Sequence, residues 1–389
     1  MVDGGLGPEE LRRYGRHLVL PEVGLAGQGR LRQGKVLIIG AGGLGAPVAL
    51  YLAAAGVGRL ALVDDDVVEE SNLQRQVLFG VGDLGRPKVE AARDRLIDLN
   101  PHIEVEAFAE RLVAAHALER LADYDVLVDG SDNFPTRYLV NDAGVLLGKP
   151  VVYGAIHRFE GQMGVFWAQR GPCYRCLFDR PPPPELVPNC AEAGVLGVLP
   201  GTIGSWQATA VLQLLLGLGE APIGRLLLYD ALTLRVREVQ VPRDPDCPVC
   251  GAQPRQQGLI DYEEFCGLRR PADAPGAAAG GTDMDFDMEP EELVRALESE
   301  EPPLVVDVRT STERMVASLP AAIHLPMNEL AARLEELPRD RDLVVHCHHG
   351  GRSTQAVEFL RAQGFDRARN LAGGIDAWSQ RIDPSLPRY

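Results

Sequence analysis

Between residue 35 and about residue 240, short β-branched and apolar runs alternate with longer stretches of helical periodicity. The runs at 35–40 (KVLIIG), 59–64 (RLALVD), 124–130 (YDVLVDG) and 150–156 (PVVYGAI) predict strands. Each of the first three is followed by loop and helix sequence, the βαβ rhythm of a mostly parallel sheet covered by helices. Later runs at 163–168 (MGVFWA), 225–232 (RLLLYDAL) and 234–241 (LRVREVQV) lack long crossovers and predict antiparallel strands at one edge. The apolar run at 210–219 (AVLQLLLGLG) is far too short to span a membrane and predicts a buried helix.

The pattern breaks at 271–282 (PADAPGAAAGGT), where small residues, proline and glycine cannot build a core and predict a flexible linker. A second, shorter α/β pattern follows. It comprises a strand at 304–309 (LVVDVR), a helix near 328–336, a strand at 342–347 (DLVVHC), a helix near 353–363 and the segment 369–378 (RNLAGGIDAW). The reading is two α/β domains, 1–255 and 286–389, joined by 256–285.

Composition narrows the function classes. A chain of 389 residues with 46% hydrophobic content can bury two cores, and a net charge of −16 argues against nucleic-acid binding. Its first ten residues (MVDGGLGPEE) show no apolar signal region, and its seven cysteines are odd in number. Thiol or metal chemistry in a reducing cytoplasm is the expectation.

The first candidate site is the turn after the first strand. Gly40, Gly42 and Gly45 form a G-x-G-x-x-G, with Gly43 inside it, ahead of a helix whose N–H groups can face a phosphate. Asp64 ends the next strand, where a carboxylate can hold a ribose hydroxyl. These residues alone also suit a nicotinamide-dependent dehydrogenase. Asn72, Arg75 and Lys88 change the balance, because cations near a pyrophosphate serve an enzyme that breaks a phosphoanhydride bond. Asp132, in VDGSDN at the end of another strand, is a natural Mg²⁺ ligand beside a nucleotide.

The stretches GAGGLGAPVALYLAAAGVGRLALVDDDVVEESNLQRQ, GSDN and CYRC…CPVC resemble the MoeB/ThiF family, relatives of the ubiquitin-activating enzymes, over roughly residues 8 to 255. The resemblance implies a Rossmann-like domain that uses ATP and Mg²⁺ to adenylate the C-terminal glycine carboxylate of a ubiquitin-like sulfur carrier ending in Gly-Gly. It implies that Asp64 holds the ribose, that Asn72, Arg75 and Lys88 contact the phosphates, and that Asp132 binds Mg²⁺. Arg16, in RYGRHL, matches a family arginine that reaches the partner subunit's nucleotide, which implies a homodimer.

Cys173 with Cys176, and Cys247 with Cys250, form two C-x₂-C pairs about seventy residues apart. Four thiolates make a closed tetrahedral site, so structural zinc is the reading favoured over a redox pair. Cys190 lies in the proline-rich PPPPELVPNCAEAGVLG, which predicts a surface segment. A lone cysteine is ordinarily an incidental small residue. The family resemblance gives it a different meaning, a thiol that takes up the activated carrier or resolves a disulfide-linked intermediate.

The last candidate is HCHHGGRS at 346–353. His346 and Cys347 are adjacent and face opposite ways on a strand, so the run does not read as a metal site. A phosphatase loop needs five residues between cysteine and arginine, whereas Cys347 and Arg352 are separated by four. A shorter cradle suits a single sulfur atom. A cysteine opening a loop at a helix N-terminus, with converging N–H groups and an arginine nearby, is held as thiolate and can carry a persulfide. Residues 304–389 resemble a rhodanese domain in VVDVR, CHHGGRS and NLAGGIDAW. The resemblance departs at 317–326 (ASLPAAIHLP), where rhodaneses read something like GHIPGA; Pro320 and Ala322 remain but the Gly-His pair is lost.

The two chemistries explain each other: one domain activates a carboxylate as an acyl-adenylate, and a Cys347 persulfide, supported by Arg352, delivers sulfur to it. The sulfur source is thiosulfate or a cysteine desulfurase. The carrier's pathway stays open among molybdopterin, thiamine, cysteine and thiolated tRNA. The alternatives are an adenylating enzyme with a vestigial rhodanese domain, and a nucleotide-sensing module without turnover.

Overall fold

The computed structural model describes residues 6–182, 194–267 and 286–388. Cys190 and the small-residue stretch 271–282 lie outside the described residues, but the start of the expected linker 256–285 is no linker: Tyr262 and Cys266 are buried in the core of the first unit. The chain divides into two compact units, Met1–Ala274 and Pro275–Tyr389.

The first unit is built on an eight-stranded sheet: β1 (Lys35–Ile39), β2 (Arg59–Val63), β3 (Glu104–Phe108), β4 (Val126–Asp129), β5 (Val151–His157), β6 (Glu160–Phe166), β7 (Arg225–Asp230) and β8 (Arg235–Gln240). Their spatial order is β3-β2-β1-β4-β5-β6-β7-β8. The first five in that order run parallel and the last three are added antiparallel, as the spacing of the runs predicts. Alternating side chains serve the two faces. Val36, Ile38, Leu60, Leu62, Val126 and Val128 pack under the helices Gly45–Ala55, Lys88–Leu99 and Val198–Leu216. Leu37, Ile39, Ala61, Val63 and Leu127 face the opposite way, towards Ala114–Ala122 and Phe134–Leu147. Each buried Val or Leu contributes about 1.5–3 kcal/mol, so both faces are anchored.

The helix predicted at 210–219 is the end of Val198–Leu216, which stops at Gly217 in a left-handed cap. Its buried residues lie between Leu199 and Val211, and 212–216 is half-buried, with Leu215 and Leu216 against Gly34 and Gly27. The edge strand β3 was not legible in the sequence. In EVEAF only Val105 is buried, so the apolar signal is weak; the strand pairs along its length with β2, and Arg59 Nη2 donates across to Glu106 Oε1 at 2.6 Å.

The second unit holds a five-stranded parallel sheet in the order β11-β10-β12-β13-β9. The strands are β9 (Asp287–Met288), β10 (Leu304–Asp307), β11 (Ile323–His324), β12 (Leu343–His346) and β13 (Ala368–Leu371). Val306, Val345 and Leu360 of Gly351–Ala362 lie on one face, with Val305, Val344 and Trp378 of Gly374–Arg381 on the other. The helix predicted near 328–336 is two short pieces, Met327–Leu330 and Leu334–Glu336.

Candidate functional site

Strand order in the first sheet reverses between β1 and β4, and in an open parallel sheet the crevice beyond that point receives ligands. The glycine loop follows β1 at this place. Gly40 has φ +90, and a Cβ there would stand 2.8 Å from the Gly130 carbonyl oxygen at the end of β4. At Gly45 a methyl would overlap the Gly40 carbonyl oxygen. Gly42 has open space, its nearest atom being Gln76 Nε2 at 3.7 Å, and Gly43 faces Pro200 at 3.2 Å and Arg75 Cγ at 3.7 Å. Gly40 and Gly45 are therefore required by packing, Gly43 is tight against Pro200, and Gly42 alone leaves room.

Asp64, just past β2, accepts from the Ala41 backbone N–H at 2.7 Å and from Asp66 N at 2.9 Å. Burial raises its carboxyl above the usual range, offset in part by Lys88 and these N–H groups. Lys88 opens the helix Lys88–Leu99 and is buried, its Nζ donating to Asp66 Oδ2 at 2.7 Å. Asn72 is buried on the turn Glu70–Asn72, and Arg75 Nη1 donates to the Ser71 carbonyl at 3.0 Å. Asp132 is exposed on the loop after β4. Arg16 is exposed on Gly15–Leu18, and its side chain makes no hydrogen bond or ion pair among the described residues.

Sequence reasoning missed Asp129 and Arg137, which brace the Asp132 loop. Asp129 is buried at the end of β4 and accepts from Ser131 N at 3.0 Å and Ser131 Oγ at 2.5 Å. Arg137 stands 3.3 Å from Asp129 Oδ2 and donates to the Ser131 carbonyl. An aspartate closing a fully buried strand was the available signal.

The four paired cysteines converge. Cys173 and Cys247 Sγ are 3.6 Å apart, Cys176 and Cys250 3.4 Å, Cys173 and Cys176 4.0 Å, and all four lie within 4.8 Å of one another. Four thiolates at ~2.3 Å from a tetrahedral zinc stand about 3.8 Å apart, so the cluster fits that ion. The β7–β8 hairpin returns the chain from one pair to the other. Arg175, between the first two cysteines, is pinned by the buried Asp142 carboxylate, which also accepts from Tyr262 and Gln256.

In the second unit Cys347 follows β12 and is buried. Gly350 N donates to its Sγ at 3.1 Å, and Ser353 Oγ lies 3.4 Å from it. Gly350, at φ +100, turns the chain into the helix Gly351–Ala362, which starts two residues before the predicted Ser353. Arg352 meets Glu313 in a fork, Nη1 to Oε2 at 3.0 Å and Nη2 to Oε1 at 2.6 Å. Burial opposes ionisation of Glu313, but Arg352 and Thr310 prevail and hold it down to about 2. From outside, Ile375 N donates to the Cys347 carbonyl at 3.0 Å and Asp376 N to that of His348 at 3.1 Å. Gly374, φ +61, permits this approach, since a side chain there would strike those carbonyls. His346 and His348 are both held down to about 4, by burial first. His348, His349 and Asp376 cluster, but Asp376 is engaged by Arg388 and Gln380. Ser353, Glu313 and Gly374 were not singled out from sequence; the GGI step in 373–375 carried the visible hint.

A glycine-lined crevice at the reversal of a parallel sheet, flanked by carboxylates and cations, defines a nucleotide-handling α/β enzyme. The smaller unit's buried cysteine on a closed loop defines a sulfur-handling one. The chain belongs to the ThiF family, whose pattern matches residues 14–249, and it carries a rhodanese-like domain at 289–381. It is 45% identical over 390 residues to the probable adenylyltransferase/sulfurtransferase MoeZ of Mycobacterium tuberculosis, covering 99% of this chain and 96% of that protein. It is 58% identical over 266 residues to the sulfur carrier protein adenylyltransferase of Thermus thermophilus, covering 67% of this chain and 98% of that one. Among solved structures, Escherichia coli MccB with a MccA variant superimposes with a TM-score of 0.53 at 23% identity, over 58% of this chain and 69% of that one, a likeness of fold.

Proposed function

We propose that the protein adenylates the C-terminal Gly-Gly carboxylate of a ubiquitin-like sulfur carrier with ATP and then converts it to a thiocarboxylate. The carrier carboxylate attacks the α-phosphate and pyrophosphate leaves. Gly42 leaves space for the phosphates, Asp64 holds the ribose, and Asn72, Arg75 and Lys88 contact the phosphates and the leaving group. Asp132 is the residue to hold Mg²⁺, which neutralises phosphate charge when bound. Arg16 is assigned to the partner copy's site in a homodimer. Zinc held by Cys173, Cys176, Cys247 and Cys250 ties two distant segments together and has no part in turnover.

The terminal sulfur of a Cys347 persulfide then attacks the acyl carbon, and AMP leaves an acyl disulfide. A thiol attacks Cys347 Sγ, forming a disulfide with it and releasing the thiocarboxylate; Cys190 or a small thiol fills that part. Carrying both groups on one chain raises the effective concentration of the persulfide.

The observation that carries the reading is the convergence of Gly350 N and Ser353 Oγ on Cys347 Sγ, in a chain that also holds the glycine crevice. A sulfur cradle of this quality speaks against a vestigial second unit. The test is the intact mass of a Gly-Gly-tailed carrier after incubation with the protein, Mg-ATP and thiosulfate, beside the Cys347→Ser variant. Sulfur replacing oxygen with the unmodified protein alone is the expected result; equal conversion by Cys347→Ser would overturn delivery from the loop.

A further inference from the structure

The cation that closes the active loop is already matched. Arg352 and Glu313 are both largely buried, at 17% and 12% side-chain exposure, and meet through two parallel hydrogen bonds. Glu313 is itself fixed, since its Oε2 also accepts from Thr310 N at 2.9 Å and Thr310 Oγ1 at 2.8 Å in the capping box of the helix Ser311–Val316. The next arginine, Arg309, is fully buried and forked onto Asp307 at 2.9 and 2.6 Å. Arg388 is forked onto Asp376, while Arg314 donates from Nη2 to the Ala322 carbonyl and has a buried Nη1 with no hydrogen-bond partner among the described residues. His346 and His348 are neutral at physiological pH. What touches Cys347 Sγ is one N–H and one O–H dipole, a cradle that suits one negative charge, while a small dianion that calls on Arg352 must first take it away from Glu313.

We propose that Glu313 is a specificity-determining residue that masks Arg352, so that the loop is charged with sulfur from monoanionic persulfides in preference to free thiosulfate. The inference rests on Cys347 being the sulfur-carrying residue. In the favoured step the Cys347 thiolate attacks the terminal sulfur of a donor R–S–S⁻. The donor's S–S bond breaks with its electron pair left on R–S⁻, and a new S–S bond forms on Cys347, with no external oxidant. With thiosulfate the same attack expels sulfite. A fixed bidentate pair is the strong form of charge pairing, and its breaking is the added cost that only the dianion meets.

The test uses the full chain as unmodified protein, Glu313→Gln and Cys347→Ser. Glutamine keeps the acceptor for Thr310 and removes the charge. Transfer to cyanide is followed as thiocyanate, with thiosulfate or hydroxyethyl persulfide as donor. Glu313→Gln is expected to lower the KM for thiosulfate by about tenfold, as unmasking one charge a few ångströms from the ligand implies, and to change persulfide turnover less than about twofold. An unchanged or raised thiosulfate KM overturns the proposal. So does loss of turnover with both donors, which would make Glu313 a support for the loop's shape. Activity persisting in Cys347→Ser would instead sink the assignment of Cys347, whatever Glu313→Gln does.

Discussion

Ser353 Oγ stands 3.4 Å from Cys347 Sγ and 3.0 Å from the Gly350 carbonyl oxygen, fully buried in the first turn of the helix that follows the loop. A hydroxyl in that place can turn its proton from the carbonyl to a sulfur anion as charge develops. Ser353→Ala removes that donor and leaves Gly350 N in place. Persulfide loading of Cys347, read by mass, is expected to slow about tenfold, the effect of losing one hydrogen bond worth about 1.4 kcal/mol. The thermal transition should move by only a few degrees. An unaltered loading rate would show that Gly350 N suffices.

The glycine loop divides into residues needed by the fold and residues needed by the ligand. Gly45→Ala places a methyl on the Gly40 carbonyl oxygen, so it should destabilise the first unit by about 3 kcal/mol or more, seen as a lower Tm with or without ATP. Gly42→Ala meets nothing nearer than 3.7 Å and should melt like the unmodified protein. Its methyl stands in the phosphate space, however, and ATP–pyrophosphate exchange with the carrier should fall at least tenfold. Equal losses of stability in the two variants would refute the division.

The thiol cluster makes a third prediction. Zinc measured by elemental analysis should be one per chain, and Cys247→Ser should lose most of it and lower the Tm of the first unit. Sulfur loading of Cys347, in the other unit, should be unaffected. A full complement of metal in Cys247→Ser would remove Cys247 from the ligand set.

Much of this was legible in the sequence because its signals are local. Gly40 to Gly45, the two C-x₂-C pairs and the Cys347–Arg352 interval are each read within a few residues. The parallel body of the sheet and its antiparallel edge followed from where crossovers are long and where they are absent. What escaped depends on distant partners. Glu313 and Arg352 are 39 residues apart, and nothing in TSTERM announces a fork onto the loop. Asp142 accepts from Tyr262, 120 residues on, and β3 pairs with β2, more than forty residues before it, with little apolar pattern of its own.

Acid should loosen the second unit in two stages. Burial holds His346 and His348 at about 4 in the folded chain, against an ordinary value of 6.5. The unfolded chain therefore takes up protons first: stability is intact above about pH 6.5 and is lost as pH falls towards 4. For the wholly buried His346 the loss is at most about 3 kcal/mol. Glu313, held at about 2 against 4.5, adds a second loss as pH falls from 4.5 to 2, when its bonds to Arg352 and Thr310 fail. Calorimetric melts should show the second unit's Tm falling between about pH 7 and pH 5, with a shallower slope in His346→Gln. A flat Tm across that interval would contradict the burial of a neutral histidine.

The departure at 317–326 has a backbone consequence. Ala321, where GHIPGA has its second glycine, sits at φ +59, a left-handed conformation shared among the described non-glycine residues only with Arg158 and Leu234 at hairpin turns. An L-residue there costs about 1 kcal/mol or more relative to glycine. Part of any gain from restoring glycine is returned to the unfolded chain, which becomes freer. Ala321→Gly should therefore stabilise the second unit by about 0.5–1 kcal/mol. Ala322→Gly is the control: Ala322 is buried, its φ is not positive, and the same change should destabilise by about 1 kcal/mol. Opposite signs at adjacent alanines cannot come from composition, so denaturant melts of the pair measure the strain at 321 directly, and equal signs would deny it.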